Sequence, residues 1–65
     1  MDKREQELAL SKLKEMDKKY VELYDSLEKI KGLTKYQEQD IWTYMQNIDI
    51  NMGKLTLYLE DLMKG

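Results

Sequence analysis

The chain contains no cysteine, no histidine and no proline, and only three glycines in 65 residues. Without cysteine no disulfide braces the fold, and without cysteine or histidine the usual zinc-ligand sets are excluded. The Ser-His-Asp and Cys-His arrangements of nucleophilic catalysis go with them, since Ser11 and Ser26 have no imidazole to take their proton. Ser11 adjoins Lys12 and Ser26 precedes Lys29, but lysines among solvated charges stay protonated and inert. No glycine-rich phosphate loop, EF-hand pattern or zinc spacing occurs. Little in the chain interrupts helices, because proline is absent and glycine is scarce.

Charge of one sign is also missing in excess. Eleven Lys and Arg stand against thirteen Asp and Glu, a net charge of −2. Nucleic-acid binding modules show a basic excess on one face. Here the one basic concentration, Lys12, Lys14, Lys18 and Lys19, is interrupted by Glu15 and Asp17. Residues Met1 to Glu7 hold no apolar run, so no signal peptide is expected. The most apolar stretch, Ile41 to Leu59, contains Gln46, Asn47, Asp49, Asn51 and Lys54, so no membrane span is expected either. The expected setting is the cytoplasm, and usage rich in Lys, Ile, Asn and Asp suits a bacterial or phage protein.

What is present is helical periodicity. Leu13, Met16, Tyr20, Leu23, Leu27 and Ile30 recur with alternating spacings of 3 and 4, as do Ile41, Met45, Ile48, Met52, Leu55, Leu59 and Leu62. Such heptad seams belong to helices packed at shallow crossing angles. Between them lies Gly32-Leu33-Thr34, where Gly32 suits a left-handed backbone just past the first helix. Leu33 is placed to fold back on Leu27 or Glu28, and Lys29 and Lys31 complement the dipole of the last turn. Thr34-Lys35-Tyr36-Gln37 fits a capping box that opens the second helix. The fold class is therefore all-α, an antiparallel two-helix hairpin with heptad-like seams. A single domain spans 1–65, with helix 1 over about 2–31, a turn at 32–34 and helix 2 over about 35–63. Gly53 threatens a break, but the seam keeps its phase from Ile48 through Met52 to Leu55, which favours one continuous helix.

The apolar residues outnumber what one seam needs. Leu10, Val21 and Tyr24 widen the stripe of helix 1. On helix 2, Ile50 and Leu57 fall opposite the seam, with Gly53 and Gln46 between them and Trp42 at the edge. A helix with apolar residues on two faces is usually covered on both. A chain of this size also buries only about 60% of its unfolded surface, so its core is marginal without help. Dimerisation into a four-helix bundle with the second helices central is one expectation, and binding of a different protein is the other. Leu10, Val21, Tyr24, Trp42, Gln46, Ile50, Gly53 and Leu57 are the candidate interaction surface; if the dimer covers them, the partner site lies elsewhere.

The function expected on these grounds is a small non-enzymatic protein–protein interaction module: a regulator, adaptor or inhibitor that forms a homodimer. No cofactor is expected. Glu22, Asp25 and Glu28 recur at helical spacing but point away from the seam, so they read as a water-facing row rather than a metal site. At the level of fold the hairpin resembles the plasmid copy-number regulators that dimerise as helical hairpins and bind RNA loops, which makes an RNA-binding hairpin dimer the alternative. No motif carries that resemblance. The Ser-Gln-Glu-Leu-Asp signature of the small hairpin phosphatases of sporulation is also absent, Glu5-Gln6-Glu7-Leu8 lacking both its ends.

Overall fold

The computed structural model describes residues 2–64. Two long helices, α1 (Lys3–Glu28) and α2 (Lys35–Lys64), pack side by side as an antiparallel hairpin. The rod measures 48 × 16 × 11 Å, the length that a helix of 30 residues sets at about 1.5 Å per residue.

Local chemistry fixes three of the helix ends' features. Asp2 caps α1, its carboxylate accepting the Arg4 backbone N–H at 3.0 Å, and Glu5 places negative charge in the first turn. At the start of α2 the capping box forms reciprocally. The Gln37 N–H donates to Thr34 Oγ1 at 3.1 Å, and the Thr34 N–H donates to Gln37 Oε1 at 2.9 Å. The Glu38 N–H closes the first full turn onto the Thr34 carbonyl at 3.0 Å.

The end of α1 differs from the sequence expectation. The helix stops at Glu28, not near residue 31, and its last turn holds no basic residue, so Lys29 and Lys31 sit beyond the dipole's terminus. The N–H groups of Lys29 and Ile30 reach back only three residues, to the Ser26 and Leu27 carbonyls, each at 3.2 Å. That tightening uses up the terminal carbonyls before Gly32 is reached. Gly32 does adopt φ +82°, but as the bend of a six-residue connection and not as the helix's own left-handed cap. Gly53, by contrast, is passed without a break, and α2 is continuous as expected. Just beyond it Thr56 donates its hydroxyl to the Met52 carbonyl at 2.9 Å.

A hydrogen bond from the Tyr20 hydroxyl to the Met45 carbonyl, at 3.0 Å, ties the helices together near mid-length. The core around it is thin. Leu13 and Met45 are the buried hydrophobic residues and Gln6 the buried polar one among the described residues. Every buried side-chain nitrogen and oxygen among those residues has a partner.

The helices are turned relative to the heptad seams. On α1 the half-buried and buried residues are Gln6, Ala9, Leu10, Leu13, Tyr20, Tyr24 and Leu27, whereas Met16, Leu23 and Ile30 are exposed. On α2 they are Ile41, Met45, Met52, Thr56, Leu59 and Met63, whereas Ile48, Leu55 and Leu62 are exposed. The rows Leu13–Tyr20–Leu27 and Met45–Met52–Leu59 thus serve both descriptions. The rows beside them do not: Leu10–Asp17–Tyr24 and Asp49–Thr56–Met63 turn toward the opposite helix, in place of Met16–Leu23–Ile30 and Ile48–Leu55–Leu62. Part of the offset on α2 is geometric, since contacts along a straight helix recur every 3.6 residues and a heptad seam every 3.5, a drift of about 20° per heptad.

Candidate interaction surface

The rotation gives the hairpin two unlike broad sides. Two hollows open on one of them. At the turn end, Tyr24, Leu27, Glu28, Ile30, Leu33, Lys35, Glu38, Gln39, Ile41 and Trp42 border a hollow of about 580 Å³. At the other end, Leu10, Leu13, Lys14, Asp17, Lys18, Asp49, Met52, Gly53, Thr56 and Glu60 border one of about 450 Å³. Lys14, Asp17 and Lys18 of α1 thereby share a side with Asp49, Gly53 and Glu60 of α2. By helical spacing Val21, Gln46, Ile50 and Leu57 fall on this same side.

The candidate surface residues are therefore divided between two situations. Leu10 and Tyr24 are half-buried where the helices meet, and the Tyr24 ring lies 6.4 Å from that of Tyr20, tilted by 36°. They line the hollows from within. Val21, Trp42, Gln46, Ile50, Gly53 and Leu57 are exposed. Leu57 is 64% and Trp42 53% exposed, large values for apolar side chains with nothing of their own chain to cover them. Gly53 adds open backbone, since a Cβ there would meet nothing within 4 Å.

Charge is interleaved with this apolar side. Asp17 and Asp49 approach Tyr20 from opposite helices, and its phenol is held above the usual tyrosine range, first by loss of solvation and then by Asp49, Tyr24 and Asp17. The four clustered lysines, Lys12, Lys14, Lys18 and Lys19, do not form one track. Lys14 and Lys18 line the open-end hollow beside Asp17, Asp49 and Glu60, while Lys19 pairs with Glu22 at 3.3 Å in an exposed contact. Glu22, Asp25 and Glu28 are exposed, and no group of three or more metal-ligating side chains gathers among the described residues. No helix among them is long and apolar enough to cross a membrane.

The opposite broad side was missed at the sequence level, because its residues were assigned to the seam. It presents Met16 and Leu23 from α1 beside Ile48, Leu55 and Leu62 from α2, each between 40% and 53% exposed, while Ile30, beyond the end of α1, borders the turn-end hollow instead. Tyr44 and Tyr58 stand along its α2 edge. The heptad spacing held the signal, and only the direction of the neighbouring helix was needed to read it. Set against protein-family models, curated proteins and solved structures, the chain matches none.

Proposed function

We propose that this chain is a small non-enzymatic protein–protein interaction module, a regulator, adaptor or inhibitor that works in the cytoplasm as a homodimer of hairpins. It engages a different protein through the apolar side that carries Trp42, Ile50 and Leu57. The observation that supports this reading most is the exposure of those three side chains, with Trp42 beside an open hollow at the turn end. Trp and Tyr dominate binding energy where they enter a partner's surface, and a hollow flanked by Trp42 and Tyr24 receives a side chain in return. Charged groups around the hollow, Glu28, Lys35 and Glu38, supply the polar rim that accompanies such a centre.

A photo-crosslinking amino acid at position 57 tests the reading in extracts of the cell that makes the protein, with the same probe at Glu15 as a control. A discrete crosslinked partner is expected at 57 and not at 15, and it disappears when Trp42→Ala is added to a chain whose helicity is unchanged. Equal, diffuse labelling at both positions contradicts the proposal.

A further inference from the structure

The side that carries Met16, Leu23, Ile48, Leu55 and Leu62 has its own occupant. We infer that a second copy of this chain packs there, side against side, as the other half of a four-helix bundle. This deepens the reading of the chain as an interaction module by assigning its two sides to different tasks, and it reverses the expectation that Ile50 and Leu57 lie in the dimer contact.

Direction is the first argument. At roughly 100° per residue, the mean direction of the heptad seam departs from that of the residues buried within the hairpin by roughly 40° on α1 and roughly 35° on α2. Both departures turn toward the same broad side, because the opposite flanks of the two helices meet around the hollows. In a square bundle the line from a helix to the bundle centre lies about 45° from the line to its neighbour. The heptad residues thus point where the axis of a bundle runs. A hairpin that completes its core alone turns its seams straight at each other, and this one does not.

Area is the second. The chain exposes 5803 Å², whereas a compact monomer of this mass exposes about 4,400 Å². Two separate chains exceed a compact dimer of twice the mass by about 4,300 Å² in all, which lies within the range that permanent homodimers bury, about 2,000–5,000 Å².

Chemistry separates the two sides. The centre of the proposed dimer side, Met16, Leu23, Ile48, Leu55 and Leu62, is apolar, with Lys12 and Lys19 at its α1 edge, and a two-fold contact brings such a centre against an identical one without need of charge complementarity. The other side carries Lys14, Asp17, Lys18, Asp49 and Glu60 around its open-end hollow. Burying these against their own copies would set like charges together out of water, which is costly. The second chain therefore covers the side with the apolar centre and leaves the Trp42 side open.

A matched pair of substitutions tests this, since Leu55 and Leu57 are two residues apart on opposite sides of one helix. In sedimentation equilibrium of the purified full chain at micromolar concentration, the wild type is expected to be a dimer. Leu55→Glu raises the dissociation constant by about a hundredfold or more, and Leu57→Glu changes it by less than about threefold. Should Leu55→Glu fail to fold, the melting temperature of the wild type supplies the reading without substitution, rising with protein concentration for a dimer and constant for a monomer. Leu55→Ala, milder, then lowers it more than Leu57→Ala. A wild-type monomer, or a dimer broken by Leu57→Glu and spared by Leu55→Glu, overturns the inference. The first outcome leaves the partner surface around Trp42 standing, while the second removes it by showing that side occupied.

Discussion

Replacing Gly53 with alanine is expected to stabilise the protein, and the size of the effect can be worked from its surroundings. Gly53 lies well inside α2, with ordinary helical backbone and no positive φ. Glycine in a helix interior costs about 0.8–1.0 kcal/mol relative to alanine, because the unfolded glycine chain has more freedom to lose. An added Cβ meets nothing within 4 Å, so it brings neither a clash nor a packing gain. The whole effect is then the propensity term, close to 1 kcal/mol. For a domain of this length that corresponds to a rise in melting temperature of about 4–8 °C. Thermal unfolding followed by helical circular dichroism, at one fixed concentration and with reversibility checked, reads it directly. An unchanged or lowered melting temperature refutes the reasoning. A fall accompanied by dissociation would mean that a second chain approaches the helix closely at Gly53, on the side argued here to be open.

The same substitution at Gly32 has the opposite sign. Its φ of +82° is strained for any side chain, so Gly32→Ala lowers stability by about 1–2 kcal/mol in chemical denaturation. Thr34→Ala removes one arm of the capping box and frees the Gln37 N–H, a loss of about 1 kcal/mol with fraying of the first turn of α2, visible as faster amide exchange there. In an absorbance titration a step above the ordinary tyrosine range is expected from Tyr20, and Tyr20→Phe deletes it. Because its folded pKa is raised, its contribution to stability is complete below the ordinary tyrosine value of about 10 and is lost as pH climbs through the higher folded value. Tyrosines that all titrate together would contradict the placement of Asp17 and Asp49 around it.

The elements of this fold were legible in the sequence because their signals are local. Thr34 and Gln37 announce the capping box three residues apart, and the unbroken phase from Ile48 to Leu55 carries α2 across Gly53. The end of α1 was less legible. Ile30 continues the heptad rhythm past the last helical residue, and nothing in that rhythm shows that the N–H groups of Lys29 and Ile30 will bond back three residues instead of four. The rotation of the helices was not legible at all. Leu13, Tyr20 and Leu27 sit in the row common to two flanking rows, and periodicity alone does not say which flank meets the neighbouring helix. Tertiary contact chose Leu10 and Tyr24 over Met16, Leu23 and Ile30. The candidate surface was accordingly half resolved: Trp42, Ile50 and Leu57 are exposed, Leu10 and Tyr24 lie in the contact between helices, and the apolar side opposite them went unrecognised as a surface.

If two copies meet across the heptad residues and leave the Trp42 side open, isotope-filtered NOE spectroscopy on a mixed sample of labelled and unlabelled chains reads the contact residue by residue. The methyl groups of Leu23, Ile48, Leu55 and Leu62 are predicted to show contacts between chains, while those of Val21, Ile50 and Leu57 show none. Contacts between chains from Ile50 and Leu57, with none from Ile48 and Leu55, would contradict the account.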